Sequence, residues 1–212
     1  PETGIGYFPD VGATYFLGRL PGRLGEYLAV TGKHLDAADA IHAGLADLYI
    51  PEETFVTIDV TLDGIDATTV ESLKSGLAYA SAEPGASRLA EIQPAIDEHF
   101  AKPDLHAVRD SLRQEQRPEY ADWARDTLKA LDALSPLGMG LSLELVRRGR
   151  ELSLAEALQL ELALDYQWFD KGDIVEGVRA LIVDKDKSPK WRIASVDDLK
   201  PEDISVFFDE AR

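Results

Sequence analysis

Between Glu2 and Asp10, near the start of the chain, lie two glycines, two aromatics and a proline, within the string Pro1-Glu2-Thr3-Gly4-Ile5-Gly6-Tyr7-Phe8-Pro9-Asp10-Val11-Gly12. Glycine opens backbone conformations that helices and strands do not use, and Pro9 fixes its own φ and offers no N–H. The stretch is therefore read as a tight loop that holds two acids against a small ligand. In a chain with 39 acidic residues, two carboxylates eight positions apart carry little weight alone. The order of the whole string carries more.

Beyond this loop the chain reads mostly as helix. Apolar positions recur at helical spacing over 13–20 and 23–31, broken at Pro21-Gly22, with Leu24 and Leu28 four apart and Gly32 as a stop. Asp36 is a candidate N-cap for a short helix ending near Gly44. Residues 45–50, largely apolar and closed by Pro51, are expected to form a short strand. Val56, Ile58, Val60 and Leu62 alternate like a strand inside a helical neighbourhood, so that stretch is ambiguous. Thr68-Thr69-Val70-Glu71 has the pattern of a capping box. Leu89, Ile92, Ile96 and Phe100 repeat at three and four residues, as do Tyr120, Trp123, Leu131 and Leu134 across a longer run. Ser135-Pro136 starts a helix with the stripe Leu137, Leu141, Leu145, an expected Glu144–Arg148 pair, and Gly149 at its end. Ser153 to Glu156 is a second capping box, with Leu154, Leu158, Leu162, Tyr166 and Phe169 on one face of the helix it opens. A last substantial helix runs from Asp173 to about Val183. There is no internal repeat and no low-complexity tract.

Composition excludes several classes. With 212 residues, 45% apolar and 29% charged, the chain is an ordinary globular protein of one or two domains. It has no cysteine, which removes disulfides, thiolate metal sites and a cysteine nucleophile. The formal charge of −17 argues against a nucleic-acid partner. No apolar run approaches the roughly 20 residues of a membrane span, and no basic-then-apolar leader opens the chain. A cytoplasmic protein with no membrane partner is expected. Gly4-x-Gly6 lacks the third glycine of a dinucleotide loop, and there is no Gly-x-Ser-x-Gly elbow. The histidines at 34, 42, 99 and 106 show no metal spacing and are read as structural or solvated, so no metal is expected.

Two strings carry a resemblance. Pro1 to Thr3, Ile5 to Gly12 and Tyr15 to Leu17 resemble the active-site segment of the crotonase (enoyl-CoA hydratase/isomerase) superfamily, most closely its 3-hydroxyisobutyryl-CoA hydrolase branch. Asp173 to Ala180, then Ile182 to Trp191, resemble the tail of the same branch, Glu-Gly-Val-Arg-Ala and Asp-Lys-Asp-x-Ser-Pro-Lys-Trp. Between about Pro51 and Leu134 only the helical character matches.

The resemblance implies a mainly α chain, the C-terminal helical part of an α/β crotonase-like spiral fold, with few short strands. It implies three regions: 1–50, the end of the spiral core with the active-site loop; 51–134, a helical extension; and 135–212, a C-terminal helical region and tail. It implies hydrolysis of a short 3-hydroxyacyl-CoA, as in valine breakdown, with no cofactor beyond the coenzyme A of the substrate. Glu2 is the expected nucleophile or base, and Asp10 the expected partner of the 3-hydroxyl. Glu2, Asp10 and Gly6 are the expected substrate contacts, with Gly4 and Gly12 as further glycines through which the backbone could approach the acyl group. Lys185, Lys187 and Lys190 either meet coenzyme A phosphates or form a solvated turn beside a packed Trp191. The alternatives are a hydratase or isomerase of the same superfamily and a non-catalytic helical interaction module.

The family's oxyanion-hole glycine loops and a further acid precede the matched segment, and this chain begins inside the motif without Met. The 212 residues are therefore expected to hold part of an active site and to hydrolyse thioesters little by themselves. An apolar patch at Phe8, Tyr15, Phe16 and Leu17 is expected to be exposed or covered in a homo-oligomer.

Overall fold

In the computed structural model, which describes residues 2–65 and 68–209, a 3-10 turn at Glu2–Ile5 leads into α1 (Ala13–Gly18) and α2 (Leu24–Thr31). Then come α3 (Ala37–His42), α4 (Glu52–Phe55), α5 (Ile58–Asp63) and α6 (Val70–Ala78). Next come α7 (Arg88–His99), α8 (Leu105–Arg113), α9 (Pro118–Leu131), α10 (Pro136–Gly149) and α11 (Leu154–Lys171). The chain closes with α12 (Ile174–Val178), a π-helical turn at Arg179–Val183, a 3-10 turn at Val196–Asp198 and α13 (Pro201–Asp209). Among the described residues 64% are helical and there is almost no strand, as the mainly α reading expected. Pro1 of the first string lies outside the described residues.

The chain divides into two compact units, residues 1–34 with 92–212, and residues 35–91. The cuts fall at 34 and 91, where the sequence reading cut at 50 and 134.

The first unit is built on α10. Leu137, Met139, Leu141, Leu143, Leu145 and Val146 are all buried, so this helix is apolar around most of its circumference and needs neighbours on several sides. It finds them in α1, α2, α8 and α13. Ser135 caps it as the sequence suggests, accepting from the Gly138 amide at 2.8 Å. Glu144 and Arg148 pair at 2.7 Å. Ile92, Ile96 and Phe100 are buried, as are Trp123 and Leu131 on α9. Phe100 and Trp123 both pack on Tyr27 of α2. His99 is a structural histidine: its ring nitrogens lie 2.7 Å from Ser111 and 2.9 Å from the buried Glu115.

In the second unit Asp36 caps α3 through the Asp39 amide at 2.8 Å. Residues 45–50 form no strand, contrary to expectation; their one β pairing among the described residues is an isolated bridge between Tyr49 and Ala82. A strand needs a partner ladder, and Pro51 immediately starts α4 instead. The alternating Val56 to Leu62 stretch lies in the helical run of α4 and α5, and Val56, Val60 and Leu62 are exposed. Alternation signals a strand only where one face is buried against something. The capping box of α6 is real but one residue later than Thr68: Thr69 and Ser72 exchange the two bonds.

Candidate active site

The long helix α11 explains why the N-terminal loop is ordered. Its inward positions Ala157, Glu161, Leu164 and Trp168 are buried at helical spacing, and Glu161 and Trp168 bond to that loop. Trp168 donates its indole N–H to the Gly6 carbonyl at 2.9 Å. Its ring meets Phe8 edge-on at 5.5 Å, and Phe8, fully buried, stacks on Tyr7 at 4.5 Å. The expected exposure of Phe8 is therefore wrong, because α11 already covers it. Of the four residues expected in that patch, Phe16 alone is exposed, and Tyr15 and Leu17 are half-buried.

Tyr7 donates its hydroxyl to Asp165. Burial and this carboxylate push the tyrosine well above its ordinary range. Further along the loop, Glu161 accepts the amides of Gly12 and Thr14 at 2.7 and 2.9 Å. Gly12, at φ +89, precedes α1 without any side-chain cap of its own, so Glu161 supplies the cap from a distant part of the chain.

Glu2 opens the 3-10 turn, and its carbonyl accepts the Tyr7 amide at 2.9 Å, closing the loop on itself. Glu2 and Asp10 are both half-buried on this loop, and the Glu2 charge is near enough to act on Asp10. Burial raises the Asp10 carboxyl, its own backbone amide offsets this in part, and the charges of Glu2, Glu161 and Asp165 raise it further. Four acids thus converge on one loop. Gly6, at φ +69, has a packing reason for its missing side chain: a Cβ there would stand 2.8 Å from both the Trp191 ring and the Asp173 side chain.

The two strings that carry the resemblance meet at this point. Asp173 is buried and accepts the Ser135 hydroxyl at 2.6 Å and the Arg192 amide at 2.9 Å. Trp191, lying on Gly6, donates to the Ala133 carbonyl at 3.2 Å. Arg179 binds Glu176, Asp184 and Asp186, and with the Lys190 amide it holds Glu176 down at about 2. Lys185 and Lys187 adopt left-handed backbone, at φ 58 and 53, and these two and Lys190 are exposed.

Sequence reading missed Glu161 and Asp165. The available signal was an acid inside the 157, 161, 164, 168 periodicity, where an apolar residue is ordinary. The apolar stripe read on α11 is not its buried side. Leu154, Leu158, Leu162, Tyr166 and Phe169 do share a face, but all are exposed, and Gly12 and Phe16 lie beside its upper end. Among the described residues, no group of His, Asp or Glu is arranged to hold a metal ion, and no helix is long and apolar enough to cross a membrane.

A family model described as enoyl-CoA hydratase/isomerase matches residues 1–208. A probable 3-hydroxyisobutyryl-CoA hydrolase 3 of Arabidopsis thaliana is 33% identical over 99% of this chain and 57% of its own length. The mitochondrial 3-hydroxyisobutyryl-CoA hydrolase of Dictyostelium discoideum is 34% identical over 98% and 55%. A small ribosomal subunit protein, mS47 of Arabidopsis thaliana, is 32% identical over 100% and 53%. Among solved structures, an enoyl-CoA hydratase from Rhodobacter sphaeroides superposes with a TM-score of 0.82 at 36% identity, covering 98% of this chain and 57% of that one. A carnitinyl-CoA dehydratase from Mycobacterium thermoresistibile gives 0.83 at 35%, with the same coverage. The chain spans about half the length of the curated relatives it matches. It belongs to the enoyl-CoA hydratase/isomerase family, and over its whole length it is similar to the C-terminal part of the 3-hydroxyisobutyryl-CoA hydrolases.

Proposed function

We propose that the gene product carrying this segment hydrolyses a short 3-hydroxyacyl-CoA such as 3-hydroxyisobutyryl-CoA, a step of valine breakdown. The observation that carries the reading is that Glu2 and Asp10 both sit half-buried on one closed loop, with the Glu2 charge acting on Asp10. Glu2 attacks the thioester carbonyl or takes a proton from water, and the coenzyme A thiolate leaves. Water supplies the hydroxyl of the acid and the proton of the thiol. Asp10 accepts the 3-hydroxyl, and a site built around that contact rejects acyl chains that lack it. Coenzyme A enters as part of the substrate, and Lys185, Lys187 and Lys190 are exposed point charges suited to its phosphates.

Two further readings have a specific basis. The hydratase and dehydratase among the solved structures favour proton transfer by Glu2 on the acyl chain. The ribosomal relative favours a non-catalytic interaction module. The test is to incubate the gene product with 3-hydroxyisobutyryl-CoA and with the corresponding enoyl-CoA. Release of free thiol and hydroxy acid in equal amounts supports hydrolysis. Interconversion of the two thioesters without thiol release supports the hydratase reading, and no turnover of either supports the module.

A further inference from the structure

Asp10 is gripped on both sides by a single helix. Before it, Tyr7 donates to Asp165; after it, Gly12 and Thr14 donate to Glu161 at 2.7 and 2.9 Å. Glu161 and Asp165 are four residues apart and so project from adjacent turns of α11. Glu161 is only 4% exposed, and each of its oxygens is used by a backbone amide. A buried carboxylate is costly unless its oxygens are bonded, and charge-assisted bonds to amides are strong ones. Between the two grips, Val11 sits at φ +51, a left-handed conformation that β-branched residues resist and that persists only where its surroundings hold it.

We infer that Glu161 is a positioning residue for Asp10: by fixing the Gly12 and Thr14 amides it holds the Asp10–Gly12 turn and aims the Asp10 carboxylate at the hydroxyl of the acyl chain. Asp165, acting through Tyr7, is the second anchor. The inference rests on the proposed role of Asp10.

The experiment has two arms, so that a failure of that role and a failure of the clamp are separable. In the 212-residue chain, hydrogen exchange is measured for Glu161→Gln, which keeps the side-chain volume but puts an N–H against an N–H. The expected result is exchange about tenfold faster at Gly12 or Thr14, the loss of one charge-assisted bond, with the α11 amides still protected. Unchanged exchange overturns the clamp, and Glu161→Asp, one methylene too short to reach both amides, serves if the first variant does not fold. In the gene product, turnover of 3-hydroxyacyl and non-hydroxylated thioesters is compared for Glu161→Gln, Asp10→Asn and the double variant. A selective loss on the hydroxylated substrate, with the double variant no worse than Asp10→Asn, supports positioning. Equal losses on both substrates that multiply in the double variant overturn it. If Asp10→Asn is itself unselective, the role of Asp10 fails and the exchange arm alone decides whether Glu161 holds the turn.

Discussion

Gly177 lies so close beneath the N-terminal turn that a Cβ on it would stand 2.0 Å from the Ile5 carbonyl oxygen. One residue from each of the two recognisable strings is therefore in direct backbone contact. The prediction is that Gly177→Ala forces the turn away from α12 and destabilises the chain by about 1–3 kcal/mol, the usual cost of overpacking. Urea unfolding with an unchanged m-value checks it; unaltered stability would mean that the contact relaxes freely.

Phe8 is enclosed by Tyr7 and Trp168. Phe8→Ala should cost about 3–5 kcal/mol, as truncation of a buried aromatic does. Thermal unfolding should show a correspondingly large fall in midpoint, whereas Phe16→Ala, at an exposed position, should change it little.

Asp10 is raised by burial and by the neighbouring Glu2, Glu161 and Asp165 charges. A carboxyl raised on folding binds protons more readily in the native state, so its contribution to stability falls as pH rises from the ordinary carboxylate range through the raised value. Asp10→Asn should therefore stabilise the chain at neutral pH, and the gain should vanish on acidification below the ordinary range. Unfolding midpoints of the two proteins, measured from about pH 3 to neutrality and slightly beyond, give the sign. A destabilised Asn variant at neutral pH would contradict it.

The outward face of α11, with Leu158, Leu162, Tyr166 and Phe169, is an apolar patch, and its upper end lies beside the exposed Phe16. Faces of this kind mark interaction surfaces. The isolated chain is expected to self-associate in sedimentation experiments, and Leu158→Lys with Leu162→Glu should return it to monomer. A wild-type chain that stays monomeric at high concentration would remove the prediction.

Local signals read well because their causes are local. Ser135, Ser153 and Asp36 cap helices through amides three residues away, and the Glu144–Arg148 pair spans one turn. Residues 45–50 misled, and 56–62 stayed ambiguous, because strand-like composition has no structural meaning without a partner strand. Glu2 and Asp10 stand out as candidates because they sit within one string. Glu161 offered only the weaker signal of an acid in an apolar periodicity, since its partners Gly12 and Thr14 lie most of the chain away. The same holds for the sides of α11: periodicity shows which residues share a face, but only tertiary packing decides that the face carrying Glu161 and Trp168 turns inward.

The most direct test of the proposed chemistry is the selectivity of Asp10→Asn in the gene product, read as kcat/KM for 3-hydroxyisobutyryl-CoA against isobutyryl-CoA, with Glu2→Gln as the comparison. Glu2→Gln should depress kcat on both substrates, as loss of a base or nucleophile does, by roughly 10² or more. Asp10→Asn should lower kcat/KM for the hydroxylated substrate by about 5- to 150-fold, the effect of leaving a polar group with a spoiled partner, and leave the other almost unchanged. Equal loss on the two thioesters would contradict the claim that Asp10 reads the 3-hydroxyl.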